Sequence, residues 1–182
     1  MDIHDRSRPL ARIARGLGFA TALLAAGFAT GWLALRAGHV RVVVHAASGA
    51  ESQADPWTAT ETVEPADLAR ELGDPDPAKR PIVACVGFKF LYDGGHVPGA
   101  SYHGPASKDD GLADLKAWAQ SLPKSSNVVL YCGCCPMVRC PNLRPAFAAL
   151  HDEGFARLRV LLLPTNFATD WAGKGYPVEK GR

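Results

Sequence analysis

The chain has 182 residues, 47% of them hydrophobic, enough for one ordinary domain with a proper core and an additional segment. Its 20 Lys+Arg against 18 Asp+Glu give a formal charge of +2, with no dense basic cluster beyond the first residues, which argues against nucleic acid as a partner. Five cysteines are too few for a disulfide scaffold, and their odd number leaves at least one thiol unpaired or intermolecular.

The first recognisable element is GLGFATALLAAGFATGWLAL, residues 16–35, a run of 20 without charge between Arg15 and Arg36. About 20 apolar residues suffice for a helix to cross a bilayer. Arg6, Arg8, Arg12 and Arg15 precede the run and only Arg36 and Arg41 follow closely, so the positive-inside bias keeps residues 1–15 in the cytoplasm. The expectation is a transmembrane anchor or uncleaved signal over 16–37, in the inner or plasma membrane, with the rest facing the periplasm or exterior. A cleaved signal peptide is the alternative, with Val44-His45-Ala46 as a small-residue cleavage site. Residues 38–56 then form a linker, polar and aperiodic from Ser48 onward, and 57–182 form the domain.

Beyond Trp57 short apolar runs alternate with helical patterns, which predicts an α/β fold with a mostly parallel sheet between helices. Pro65 starts a helix whose Leu68 and Leu72 share a face and which Gly73 stops. PIVACVG, residues 81–87, reads as a buried strand. Leu112, Leu115, Trp118 and Leu122 recur at helical spacing before Pro123. NVVLYC, residues 127–132, is the expected central strand. Asn142 is then an expected N-cap for a helix bearing Leu143, Ala146, Phe147 and Leu150 on one stripe, with Gly154 past its end. RVLLLP, residues 159–164, is another strand, and Phe167 with Trp171 opens a last helix.

YCGCCPMVRCPN, residues 131–142, places four cysteines within nine positions between the central strand and a helix. A loop leaving the carboxyl end of a central parallel strand occupies the usual ligand crevice of such folds. Cys132 stands at the strand's edge, where loop amides and the positive end of the following helix are expected to lower its thiol pKa and make it a nucleophile. Arg139 and Arg144 are candidate anion binders, and Gly133 a candidate contact to substrate.

These segments together resemble the rhodanese family of sulfurtransferases. PIVACVGFKFLYDGGHVPGA, residues 81–100, is similar to that family's second strand with its Gly-His-Val-Pro-Gly-Ala turn. VVLYC, residues 128–132, is similar to the strand ending in the active cysteine, and WAGKGYPVEKG, residues 171–181, to the closing segment. The resemblance implies a rhodanese-like fold with helices on both faces of the sheet. It also implies a cycle in which Cys132 takes sulfane sulfur from a small sulfur-containing anion as a transient persulfide and passes it to an acceptor such as a protein thiol, with no cofactor. The chain departs from the family's pattern where Gly133–Pro141 lengthen the loop, where Ala84 and Val86 replace an Asp and an Arg, and where Pro164-Thr165-Asn166 replace a Gly-Gly turn.

Cys134, Cys135 and Cys140 lie outside that scheme. As resolving thiols they would make the protein a thiol redox enzyme. As thiolates around Cu(I), Zn or an iron–sulfur centre they would form a metal site, although the spacing matches no usual CxxC pair and no resident metal is expected. A structural disulfide is a further reading. A cysteine phosphatase requires five residues between Cys and Arg, whereas Cys132 and Arg139 bracket six and Cys134 and Arg139 four. His96 is expected to brace a turn, His103 and His151 to be solvated, Tyr92, Trp118, Trp171 and Tyr131 to pack, and Cys85 to be buried and inert.

Overall fold

The computed structural model describes residues 54–181. The expected cytoplasmic segment 1–15, the anchor or signal 16–37 and most of the linker 38–56 lie outside the described residues; among the described residues, no helix is long and apolar enough to cross a membrane.

Five parallel strands form one sheet: β1 (Thr62–Val63), β2 (Ile82–Cys85), β3 (Ser101–Tyr102), β4 (Asn127–Tyr131) and β5 (Arg157–Leu161), in the spatial order β1-β5-β4-β2-β3. The strand NVVLY is thus central, as its apolar run predicts. Its neighbours are held in register by Cys85 opposite Tyr131 and Leu130 opposite Val160. Helices α1 (Pro65–Leu72), α2 (Lys89–Gly94), α3 (Asp109–Ala119), α4 (Leu143–Asp152) and α5 (Phe167–Asp170) complete the layers.

The two-residue period of the strands sorts their side chains onto two cores. Val128, Leu130 and Cys132 join Ala84 and Val86 against Leu115 of α3 and Ala146, Phe147 and Leu150 of α4. Val129 and Tyr131 join Val83 and Cys85 on the other face, against Leu68 of α1, Tyr92 of α2 and Trp171 beyond α5. Each helix therefore forms because its apolar stripe has a sheet face to cover, and helices do lie on both faces.

Several boundaries differ from the sequence reading. The strands expected over 81–87 and 159–164 run over Ile82–Cys85 and Arg157–Leu161. The apolar run extends past the ladder into loops that stay buried, while Arg157 and Arg159 are strand residues whose long side chains leave the core. Arg159 makes a bidentate contact with Glu71, at 2.6 and 2.9 Å, and reaches Asn127 at 3.0 Å. The short elements β1, α2 and β3 carry too little periodicity to be read from sequence. Gly154 does stop α4 as expected, with φ +87°, a left-handed conformation that favours glycine.

Phe147 is fully buried and meets Trp57 edge-on with ring centroids 5.6 Å apart. Phe147→Ala should destabilise the domain by about 3–5 kcal/mol, read as a lower midpoint in urea unfolding followed by tryptophan fluorescence.

Candidate active site: a thiol cluster at the end of the central strand

Helix α2 leaves β2 toward one face of the sheet and α4 leaves the adjacent β4 toward the other. The carboxyl ends of these strands consequently open a crevice between them, the place where open α/β sheets bind ligands. Gly87 follows β2 there, packed so closely on Cys132 that an added Cβ would lie 2.8 Å from its carbonyl oxygen and 3.1 Å from its Sγ. An open cleft of about 580 Å³ rises above, with Cys132, Gly133 and Cys134 at its floor and Phe90, Leu91, Phe167 and Val178 among its apolar walls. Lys180 is the charged residue that lines it.

The loop is tied down on both sides. Gly133 takes φ +67°, and its carbonyl accepts from Phe167 N at 3.0 Å; Met137 N donates to Pro164 O at 3.2 Å. Residues 164–167 thereby buttress the cysteine loop. Asn166 also caps α5 by accepting from Thr169 N at 2.8 Å. Residues Met137–Arg139 wind into one 3₁₀ turn that brings Cys140 back beneath Cys132 and Cys134.

All five cysteines are free thiols. Cys132 Sγ is 3.0 Å from Cys134 Sγ, and Cys134 Sγ is 3.3 Å from Cys135 Sγ. Cys140 joins Cys132 and Cys134 in a trio whose sulfurs lie within 4.8 Å of one another. The structure thus brings together Cys132, Gly133, Cys134, Cys135 and Cys140, while Cys85 points to the opposite core, where burial pushes its thiol up to about 11.

Asn142 is the residue that the sequence reading misassigned. It was expected to cap α4, yet its backbone is helical (φ −95°, ψ −36°) and its side chain makes no capping bond. Instead the fully buried amide accepts from Ser107 N at 3.0 Å and donates through Nδ2 to Cys132 Sγ at 3.3 Å, with Cys134 Sγ at 3.9 Å. The first amides of the helix, those of Asn142 and Leu143, instead favour the anion of the nearby Cys140 thiol.

That arrangement corrects a second expectation, that the helix's amino end keeps Cys132 ionised. Contacts from Cys132 and Cys134, together with the Asn142 and Leu143 amides, hold Cys140 down to about 2. Contact with Cys134 favours a Cys132 thiolate, but the competing anion at Cys140 and burial outweigh it and push Cys132 up to about 12. Cys134 is pushed up by its contacts with Cys132 and Cys140, and Cys135 up to about 12 by burial. A closely packed set of like-charging groups can hold only the first negative charge easily, and the charge resides where backbone N–H groups meet it.

The arginines do not line the cleft. Arg139 is exposed on the 3₁₀ turn. Arg144 braces the loop from outside, donating to Cys140 O at 3.1 Å and Val138 O at 3.4 Å and pairing with Asp55 at 2.6 Å. Its expected contact with an anion is replaced by these partners. His96 braces its turn as anticipated: it is buried, with Nδ1 2.8 Å from Tyr92 O and its ring stacked on Tyr92. His103, expected in solvent, is instead stacked on Trp118 and bonded to Asp114 at 2.8 Å. Lys180, Gly87 and the cleft walls were not singled out by sequence; only the resemblance of residues 81–100 and 171–181 pointed to their neighbourhood.

No family model matches the chain, and no curated protein matches it. Solved structures do. The crystal structure of the Alr3790 protein from Anabaena sp. is 22% identical, with a TM-score of 0.51 over 65% of this chain and 92% of that one. The solution structure of the same protein is that of a rhodanese-like domain, 24% identical over 66% of this chain and 79% of that one, with a TM-score of 0.48. The BH2092 protein from Bacillus halodurans is 21% identical, with a TM-score of 0.52 over 66% of this chain and 77% of that one. The fold is rhodanese-like. Within that rhodanese-like fold the four thiols cluster in the loop after β4.

Gly133→Ala should test how the loop is built, since the new Cβ would stand 2.6 Å from Phe167 Cβ at a backbone angle that disfavours any side chain. A loss of roughly 1–3 kcal/mol is expected, seen as a lowered thermal midpoint together with faster alkylation of Cys132.

Proposed function

We propose that the domain is a sulfurtransferase in which Cys132 carries sulfane sulfur as a persulfide. The observation that carries this reading is the position of Cys132: it ends the central strand of a rhodanese-like sheet and lies at the floor of an open cleft. Cys132, once its proton is lost to solvent, attacks the outer sulfur of a donor R–S–S⁻ as the thiolate. The S–S bond of the donor breaks, RS⁻ leaves, and the new Cys132 persulfide is left in the cleft. An acceptor thiolate then attacks the outer sulfur of the persulfide, forms its own persulfide and returns Cys132 as thiolate. No net oxidation occurs. The Asn142 amide, already donating to Cys132 Sγ, stabilises charge there in both steps.

The cleft shapes which donor is favoured. Its walls are mainly apolar, with Lys180 at the rim, which suits an organic persulfide or polysulfide with one anionic group better than a small, strongly hydrated dianion.

Cys132→Ser should abolish the one-sulfur mass increase after treatment with a polysulfide donor, whereas Cys134→Ser should retain it; an adduct that persists in Cys132→Ser contradicts the assignment. The pH dependence reports which thiol holds the charge. Burial and the anion at Cys140 push the Cys132 thiol up to about 12, so loading of the parent chain should rise about tenfold per pH unit from pH 6 to 8. In Cys140→Ser the competing anion is gone, Cys132 ionises more readily, and loading at neutral pH should increase.

Tethering to a membrane, with the domain outside the cytoplasm, belongs to the same proposal and rests on the run 16–35. The chain should stay with alkali-washed membranes, and a version lacking residues 1–37 should be released to the supernatant.

A further inference from the structure

We propose that Cys132, Cys134 and Cys140 form a three-thiolate site for a single Cu(I) ion, and that filling this site suspends sulfur transfer. The metal site stands independently of the sulfurtransferase reading; only its inhibitory consequence rests on that reading.

The geometry is close to what such an ion requires. Metal–sulfur bonds of about 2.3 Å put three sulfurs of a trigonal plane roughly 4.0 Å apart. The three Sγ atoms lie within 4.8 Å of one another, with Cys132 and Cys134 at 3.0 Å, so small rotations that open one contact complete the triangle without moving the backbone. Cys132 and Cys140 are 5% and 3% exposed, and Cys134 is half-buried on the cleft side, which leaves one route of entry.

The donor set selects the ion. Thiolates are soft ligands that favour Cu(I), zinc and iron–sulfur centres over hard cations. No histidine or carboxylate joins the trio among the described residues. Zinc in structural sites takes four protein ligands, and a three-thiolate set without a fourth suits Cu(I) better.

Outer partners are also present. The Asn142 Nδ2 donor faces both Cys132 and Cys134, and the Asn142 and Leu143 amides face Cys140. Such N–H donors orient metal-bound thiolates and offset their charge. Binding would release the protons of those thiols still protonated, with no change in oxidation state of sulfur or copper. Once bound, the Cys132 thiolate shares its charge with the ion, which lowers its nucleophilicity toward a sulfur donor.

The decisive experiment titrates the full chain, purified anaerobically and metal-free, with Cu(I) against a chromogenic Cu(I) chelator, and follows the ultraviolet thiolate-to-copper band. One equivalent should bind. Cys132→Ser, Cys134→Ser and Cys140→Ser should each weaken binding by about 10²-fold or more, and Asn142→Leu by roughly 10–100-fold, the range for loss of an outer-shell partner. Cys85→Ser and Cys135→Ser should bind as the parent chain does, and all variants should retain the parental circular dichroism. Failure to compete with the chelator, undiminished binding by Cys140→Ser, loss in Cys135→Ser, or stronger retention of Zn(II) than of Cu(I) overturns the site. Sulfur loading of metal-free protein, measured by intact mass, is scored separately. Copper binding without any loading refutes the sulfurtransferase reading and spares the site, while loading without copper binding does the reverse.

Discussion

Four sulfur atoms are packed together where burial and mutual repulsion admit one negative charge readily. Where that charge settles decides the chemistry of the whole loop, and it settles on Cys140 because α4 begins there and presents two amides that no carbonyl or side chain claims. Cys132 lies at the floor of the cleft, where that anion and burial raise its own thiol. The favoured charge and the open position thus fall on different residues, Cys140 and Cys132.

The sheet makes this division possible. β2 and β4 are neighbours whose following helices cover opposite faces, so space opens at their carboxyl ends without any cavity in the core. Gly87 lets the chain after β2 approach Cys132 to within contact, and the Pro164–Asn166 segment supports the loop from the β5 side. Arg144 holds its outer rim through two carbonyls and Asp55, with Trp57 against the guanidinium. The loop is long, but its start and middle are fastened to the segment after β5 and its end, through Asn142, to Ser107, which preorganises the sulfurs.

The sulfur transfer and the Cu(I) binding proposed above would use the same property of the cluster, its capacity to present soft sulfur to something that enters from the cleft. The two uses would exclude one another at Cys132. Such a site would place sulfur transfer under the control of copper availability without any change in fold.

The order of elements, the central place of NVVLY and the burial of both sheet faces were legible in the chain, because uninterrupted apolar strands and helical stripes admit few other packings. The proximity of four thiols followed from their spacing alone. What spacing could not convey was orientation. Asn142 reads as a cap because its residue type and position are those of a cap, and only the approach of the Ser107 segment and Cys132 from elsewhere in the chain redirects its amide. Arg144 reads as a free cation until Asp55, 89 residues earlier, is brought beside it. The amino-acid order determined which groups could do chemistry here, through covalent neighbours and periodicity; which of them holds the charge, which holds the proton and which faces the cleft depended on contacts between segments far apart in sequence, and those only the tertiary structure decided.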